Sequence, residues 1–157
     1  AFCQEKACDW IVSYGYRHII RKPVLSAFER RIINLHISFL PWNRGSDPNF
    51  WSWVDDTPKG VTIHLMDEGI DTGNIIAQEK TAFGPEETLS SSYDKLRHHL
   101  EDLFARTWPR LRTGECAGIP QNEGGKPRKQ ADKEDLFARL TVGWDSPVSE
   151  VCALRGN

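Results

Sequence analysis

Two short segments carry side chains that together suit the transfer of an acyl group to an amine. The first is Asn34-Leu35-His36, and the second is the Asp/Gly-rich stretch 66–73, which contains Asp71. An amide and an imidazole can donate hydrogen bonds to an acyl oxygen, and one preorganised donor is typically worth about 3–4 kcal/mol in the transition state. A carboxylate can accept or relay the proton that the amine loses. We therefore predict that Asn34, His36 and Asp71 form a catalytic group.

Each of these residues, taken alone, also has a structural explanation. Asn34 and His36 would then cap the end of a strand, and Asp71 would cap a turn. The catalytic interpretation depends on all three lying within the motifs that surround them.

Apolar segments predict the strands that must position this group. They are residues 9–14, 31–36, 60–66 and 74–79. Successive side chains of a strand point to opposite faces, so Ile33 and Leu35 should face one side of the sheet, and Asn34 and His36 the other. Since open α/β sheets place their sites at strand ends, we predict a mostly parallel α/β sheet with the polar pair at its carboxyl edge.

Two helices are predicted: a short one at 48–54 that carries three aromatic residues, and a long one at 88–111 whose apolar residues recur at spacings of three and four. Pro109 should kink or end the second of them. Beyond it the chain is rich in Gly, Pro and Lys and then carries a short helical pattern. We therefore divide the chain into a partial catalytic domain, 1–112, and a C-terminal loop with a short helix, 113–157.

The composition is that of a globular protein, with 39% hydrophobic residues, 27% charged residues and a formal charge of −2. Nucleic-acid binding would require a strong basic excess, so no such partner is expected. No apolar run approaches the roughly 20 residues that span a bilayer, and no signal peptide precedes Asp9, which predicts a cytoplasmic protein without a membrane partner. Four cysteines lack metal-binding spacing and are predicted as free thiols, with no metal site: Cys3, Cys8, Cys116 and Cys152.

The sequence around the catalytic group resembles the folate-dependent formyltransferases, which move a formyl group from 10-formyltetrahydrofolate to an amino group. Asn-Leu-His-Ile-Ser-Phe-Leu-Pro at 34–41 is similar to that family's Asn-x-His-Pro-Ser-x-Leu-Pro, with Ile37 in place of proline. The resemblance runs from about Asp9 to about Leu111. It implies a Rossmann-like formyltransferase sheet that lacks its first two or three strand–helix units, followed by a helical and irregular tail. It also implies that His64 supports the catalytic residues from behind.

The same resemblance implies a folate pocket with two walls, whose backbone groups would read the edge of the pterin ring. The alternative is an ordinary strand-to-helix turn. The predicted walls are Tyr16, Arg17, His18 and Ile19 on one side and Met66, Asp67 and Glu68 on the other.

Residues 41–51 look like the branch of the family that formylates amino sugars attached to nucleoside diphosphates. An arginine there would pair with the pyrophosphate, and aromatic rings would stack on the sugar or base. The aromatic rings would alternatively pack a helix on the sheet. The predicted substrate-binding residues are Trp42, Arg44, Asn49, Phe50 and Trp51.

Three other functions stay open from the sequence: a methionyl-tRNA formyltransferase, a purine-pathway formyltransferase, and a truncated chain that folds or dimerises without catalysis. Missing strands would leave Ile11 and Val12 on an uncovered sheet edge, which proteins normally avoid. We therefore expect either a homodimer or a longer polypeptide.

Overall fold

A four-stranded sheet is the centre of the computed structural model, which describes residues 8–115 and 117–155. In spatial order its strands are β1 (Ile11–Tyr14), β2 (Ile32–His36), β3 (Gly60–Leu65) and β4 (Ile75–Lys80). The helices are α1 (Lys22–Ala27), α2 (Pro48–Val54), α3 (Leu89–Leu111), α4 (Glu134–Phe137) and α5 (Val148–Cys152), and 3-10 helices span Gln130–Lys133 and Gly143–Asp145.

The predicted α/β fold is confirmed, but the sheet is mixed rather than mostly parallel. β1 and β2 are parallel, whereas β2 pairs antiparallel with β3, and β3 with β4. A parallel pair needs a long crossover, and α1 supplies one between β1 and β2. Pro23 lies in the first turn of α1, where a missing N–H is tolerated, so it begins a helix that the sequence analysis did not predict. The segment between β3 and β4 is too short for a crossover.

The sheet has one apolar face and one polar face. Asn34 pairs with His64 across β2 and β3, and His36 pairs with Thr62, so these four side chains lie on the same face. The predicted alternation is thus present. The opposite face packs on α3 and forms the main core, made of Ile33, Leu35, Val61, Ile63, Leu65, Leu96, Leu100, Leu103 and Leu111.

Helix α3 begins as predicted, at a hydrogen-bonded cap. The Ser91 N–H donates to the hydroxyl of Thr88, and the Thr88 N–H donates to the hydroxyl of Ser91. Pro109 lies inside the helix, which continues only to Leu111. Ending so soon after the proline is consistent with the loss of one main-chain hydrogen bond.

A second core joins α2 to the C-terminal part of the chain. The aromatic side chains of α2 pack with residues 136–154, so the segment beyond residue 112 folds onto the sheet-bearing part. Asn49 donates from Nδ2 to the Ser92 hydroxyl at 3.0 Å, so the fully buried Ser92 hydroxyl has a hydrogen-bond partner. The buried members of this core are Phe50, Trp51, Trp53, Val54, Leu89, Leu140, Val148, Val151 and Leu154.

The described residues can be compared with the predictions about membrane spans, metal sites and cysteines. Within residues 8–115 and 117–155, no helix is both long and apolar enough to cross a bilayer. In the same residues, no three His, Cys, Asp or Glu side chains are grouped to hold a metal ion. Cys152 is a free thiol, Cys8 is exposed, and Cys3 and Cys116 lie outside the described residues. Val12 on β1 is 39% exposed.

The loop from 66 to 73 folds back tightly over the end of β3. A side chain at Gly73 would overlap the carbonyl oxygen of Leu65, and one at Gly69 would overlap the hydroxyl of Thr72. The glycines therefore permit close approach, whereas Asp71 itself adopts the left-handed region with φ 53°. Aspartate is one of the residues that tolerates this conformation.

We expect Gly73→Ala to lower the free energy of unfolding by about 1–3 kcal/mol, because its methyl group must displace backbone atoms. Gly84→Ala is the matched control, since a side chain there meets open space. Chemical denaturation of both variants measures the difference. Equal stability of the two would show that the loop does not need the close contact with Leu65.

Candidate functional site

The carboxylate of Asp71 is the centre of the candidate site. It accepts hydrogen bonds from Asn34 Nδ2 at 3.2 Å and from the Gly45 N–H at 2.8 Å. Two imidazoles lie against it, with His36 Nδ1 at 3.7 Å from Oδ2 and His64 Nε2 at 3.5 Å from Oδ1. Only 13% of the Asp71 side chain is exposed. The structure thus brings together the three residues predicted to be catalytic, with His64 behind them.

Partner atoms determine which nitrogen of His36 carries a proton. Nε2 of His36 lies 3.2 Å from the carbonyl oxygen of Asn43. A carbonyl only accepts hydrogen bonds, so Nε2 is the donor and Nδ1 is the nitrogen that can gain or lose a proton. Nδ1 is also the atom that faces Asp71. Any proton that His36 takes up therefore arrives next to a carboxylate.

The same reasoning fixes the amide of Asn34. Nδ1 of His64 lies 2.8 Å from the Leu65 carbonyl and must donate to it, which leaves Nε2 as an acceptor in the neutral ring. Asn34 Nδ2 lies 3.3 Å from that Nε2 and 3.2 Å from Asp71. Both N–H groups of the amide thus have acceptors, and the carboxylate determines which end of the amide faces it.

Burial and charge set opposite protonation states for the two central groups. Burial acts to raise the pKa of Asp71, but His36, His64 and the Gly45 N–H together hold it well below its ordinary value. Burial lowers the pKa of His36, and the Asp71 carboxylate offsets part of that effect. At neutral pH the site therefore contains an ionised carboxylate beside a neutral imidazole.

Hydrogen bonds on the polar face of the sheet hold the segment that follows β2. The Thr62 hydroxyl donates to the Ser38 carbonyl at 2.7 Å and accepts from the Leu40 N–H at 3.2 Å. Gln78 Nε2 donates to the Leu40 carbonyl at 2.7 Å. These bonds fix residues 38–40, which lead through the cis Leu40–Pro41 peptide to Asn43 and its contact with His36.

The two predicted walls of the folate pocket lie in loops that are largely exposed. The first leaves the sheet beside β2, because Tyr14 pairs with Leu35. An ion pair of 3.0 Å between Lys22 and Glu68 joins the connection after β1 to the second wall. The predicted residues Tyr16, Arg17, His18, Ile19, Asp67 and Glu68 are exposed, and Met66 is half-buried.

Of the predicted acceptor residues, Trp42 and Arg44 lie beside the site. They flank Asn43, whose carbonyl is bonded to His36. Trp42 is 46% exposed, and Arg44 is half-buried. In the part of the chain that the structure describes, no carboxylate forms an ion pair with Arg44.

For the other three residues the predicted contact with substrate is wrong. Asn49, Phe50 and Trp51 are at most 3% exposed and belong to the second core. Asn49 is used by internal hydrogen bonds to Leu89 and Ser92, and the guanidinium of Arg128 covers the Trp51 ring at 3.9 Å. Their alternative reading, a helix packed by aromatic side chains, is the correct one.

Two contributors to the site were missed from the sequence. One is the main-chain N–H of Gly45, which no side-chain pattern can reveal. The other is Gln121, whose Nε2 donates to the carbonyl oxygens of Asp71 at 2.9 Å and Gly73 at 2.7 Å. Gln121 is 50 positions from Asp71 in a loop without periodicity, so only the fold brings the two together.

The sequence of the chain matches a known protein family and curated relatives. Residues 2–107 match the family model described as formyl transferase. The chain belongs to the formyl transferase family. It is 34% identical over 148 residues to the methionyl-tRNA formyltransferase of Parvibaculum lavamentivorans, covering 93% of this chain and 46% of that protein. The chain thus spans about half the length of the curated relatives it matches.

Solved formyltransferases share the fold. PseJ from Anoxybacillus kamchatkensis, in complex with UDP-4,6-dideoxy-4-formamido-L-AltNAc and tetrahydrofolate, superposes with a TM-score of 0.88 at 50% identity, over 91% of this chain and 76% of that one. Phosphoribosylglycinamide formyltransferase from Bacillus halodurans gives a TM-score of 0.67 at 36% identity, over 70% of this chain and 57% of that one.

We expect His36 to titrate below the ordinary histidine pKa of about 6.5 and to titrate lower still in Asp71→Asn, which lacks the charge that favours the imidazolium. Stability from the neutral ring should be complete above about pH 6.5 and decline as the pH falls toward the folded-state pKa. NMR titration of the ring nitrogens measures both pKa values. His98, which is exposed, serves as the control. A His36 pKa at or above the ordinary value would contradict the assigned balance of burial and charge.

Proposed function

We propose that the protein transfers a formyl group from 10-formyltetrahydrofolate to the amino group of a nucleotide-linked amino-deoxy sugar. The observation that carries this proposal is the buried group of Asn34, His36 and Asp71, with Asp71 ionised and His36 Nδ1 facing it at 3.7 Å. Such a group provides donors for an acyl oxygen and an acceptor for the proton of an amine.

The loops that would bind the formyl donor fit this role. Residues 16–19 and 66–68 are accessible, and the second loop leads directly into Asp71. An exposed ion pair joins Lys22, three residues after the first loop, to Glu68 of the second, and backbone groups of both loops would contact a flat ring. A structure of PseJ that contains tetrahydrofolate supports the choice of a folate donor.

Asn34 and His36 would act on the oxygen of the formyl group. One N–H of Asn34 turns from His64 to that oxygen, while the other keeps its bond to Asp71. His36 becomes a charged donor once Nδ1 is protonated. Both donors then stabilise the negative charge that develops when the amine attacks. The site is largely closed to water, which strengthens these interactions.

Asp71 would accept the proton of the amine, directly or through His36 Nδ1. The new bond joins the amine nitrogen to the formyl carbon, and the bond from that carbon to N10 of the folate breaks. The amine loses one proton and N10 gains one, so the Asp71–His36 pair returns to its starting state after each transfer. The folate thus gives up its CHO group and leaves with one proton on N10.

Three observations favour a sugar nucleotide as the acceptor. Arg44 is half-buried next to the site, and it has no carboxylate partner among the described residues, as expected for a group that pairs with phosphate. Trp42 offers an exposed ring beside it. In the comparisons, PseJ is 50% identical to this chain, against 34% for the methionyl-tRNA formyltransferase.

Methionyl-tRNA remains the second candidate acceptor, because curated relatives with that activity match most of this chain. The chain covers 46% of the Parvibaculum lavamentivorans protein, so more than half of that relative lies beyond the match. A homodimer, a cytoplasmic location and the absence of nucleic-acid partners stay predictions.

The acceptor is tested with the complete polypeptide and 10-formyltetrahydrofolate. The candidate amines are UDP-4-amino-4,6-dideoxy-L-AltNAc, methionyl-tRNA and phosphoribosylglycinamide. We expect kcat/KM for the nucleotide sugar to exceed the others by about a hundredfold or more, since buried polar groups reject acceptors that do not pair with them. Preferred formylation of methionyl-tRNA would overturn the sugar assignment. No transfer to any of the three would support the non-catalytic alternative.

We expect Asp71→Asn to bind folate normally and to lose turnover by about a hundredfold or more, because the acceptor for the amine proton is gone. Single-turnover formyl transfer and folate fluorescence titration measure the two effects separately. Asp102→Asn, the same substitution at an exposed position of α3 on the opposite side of the sheet, is the control. Turnover of Asp71→Asn within a few-fold of the parent protein would make Asp71 a structural residue.

A further inference from the structure

A segment from the C-terminal part of the chain lies across the candidate site. We call residues 119–128 the strap. At one end, the Ile119 N–H donates to the Ile75 carbonyl and the Ile75 N–H to the Ile119 carbonyl, both at 2.8 Å. At the other end, the Arg128 N–H donates to the Arg44 carbonyl at 2.9 Å. The strap is therefore fixed by main-chain bonds on both sides of Asp71.

Within the strap, Gln121 reaches into the site with both ends of its amide. Nε2 donates to the carbonyl oxygens of Asp71 and Gly73, at 2.9 and 2.7 Å. Oε1 accepts from Arg44, from Nη2 at 2.7 Å and from Nε at 3.3 Å. Since carbonyls only accept and a guanidinium only donates, the orientation of this amide is determined by its partners.

The contacts of Gln121 join the turn that carries Asp71 to Arg44, the residue proposed to bind the acceptor. The Asp71 turn has a left-handed residue at its centre, and two carbonyl oxygens of that turn are bonded to the same NH2 group. The second contact orients Arg44, the residue beside the site that lacks a carboxylate partner among those described.

We propose that Gln121 is a positioning residue that holds the Asp71 carboxylate against His36 and, through the same amide, presents Arg44 to a phosphate of the acceptor. This inference rests on the proposed function for its catalytic consequence. The placement of the Asp71 turn can be measured without activity. A phosphate that binds Arg44 would therefore also affect Gln121, the residue that aligns the Asp71 carboxylate.

The substitutions Gln121→Ala and Gln121→Glu distinguish this positioning role from a purely structural one, in which Gln121 only stabilises the strap. Alanine removes both contacts. Glutamate keeps the size of the side chain but cannot donate to the two carbonyls, and its charge neutralises Arg44. Asn122→Ala is the matched control in the strap, because Asn122 contacts Arg44 through its main-chain carbonyl, which the substitution retains.

In the complete polypeptide we expect Gln121→Ala to lower kcat by about tenfold or more, with the KM for 10-formyltetrahydrofolate within about twofold of the parent protein. The KM for UDP-4-amino-4,6-dideoxy-L-AltNAc should rise, and it should rise further in Gln121→Glu. Asn122→Ala should leave all three constants nearly unchanged. A fall in melting temperature with normal kcat would overturn the proposal, since it would show a purely structural role.

The Gly45 N–H gives a readout that does not need turnover, because it donates to Asp71 Oδ2 at 2.8 Å. In Gln121→Ala and Gln121→Glu, its hydrogen exchange should accelerate by about tenfold or more, while exchange in the core strands stays slow. Unchanged exchange at Gly45 in both variants would overturn the proposal. If the parent protein transfers no formyl group to any acceptor, the proposed function fails, and the exchange measurement still decides the role of Gln121.

Discussion

A carboxylate that is largely removed from water must be surrounded by donors, and the site of this protein is organised around that requirement. An isolated buried charge is costly enough that a carboxyl group would instead take up a proton. Asp71 avoids this outcome through hydrogen bonds from the amide of Asn34 and the main-chain N–H of Gly45, and either imidazole beside it, from His36 or His64, adds a donor when it takes up a proton. These groups come from β2, from the loop after it and from β3, so the need to keep one carboxylate ionised ties together segments far apart in sequence.

The sheet meets this requirement because alternating side chains place the apolar residues on one face and the polar residues of the site on the other. On β2 and β3, the odd-numbered side chains build the core under α3, while Asn34, His36, Thr62 and His64 share the other face. The Thr62 hydroxyl holds the segment that leads to Asn43, and the Asn43 carbonyl accepts the hydrogen bond of His36 Nε2. The polar side chains of this face thus form one hydrogen-bonded unit with the loops that carry Asn43 and Asp71.

The sequence predicted those parts of the site that depend on local rules. Strand alternation put Asn34 and His36 on one face, and the family motif singled out Asp71. Burial of Phe50 was not predicted, because an aromatic cluster after a Leu-Pro turn suits both a ligand and a core, and the C-terminal residues that cover it are far away in the chain. Gln121 was missed for the same reason. The predicted strand direction was also wrong, because β2, β3 and β4 pair antiparallel and the apolar pattern of a strand does not determine its direction.

The strap has a kinetic consequence as well. Its main-chain bonds join residues 44 and 75 to residues 128 and 119, so forming them closes long loops whose entropic cost must be met before any contact is gained. The sheet and α3 form through shorter connections, and topology of this kind favours their earlier assembly. A molecule with a complete apolar core can thus exist before its site is ordered. Conversely, local opening of the strap would disorganise the site at a smaller free-energy cost than global unfolding, leaving a protein that remains folded by most spectroscopic criteria.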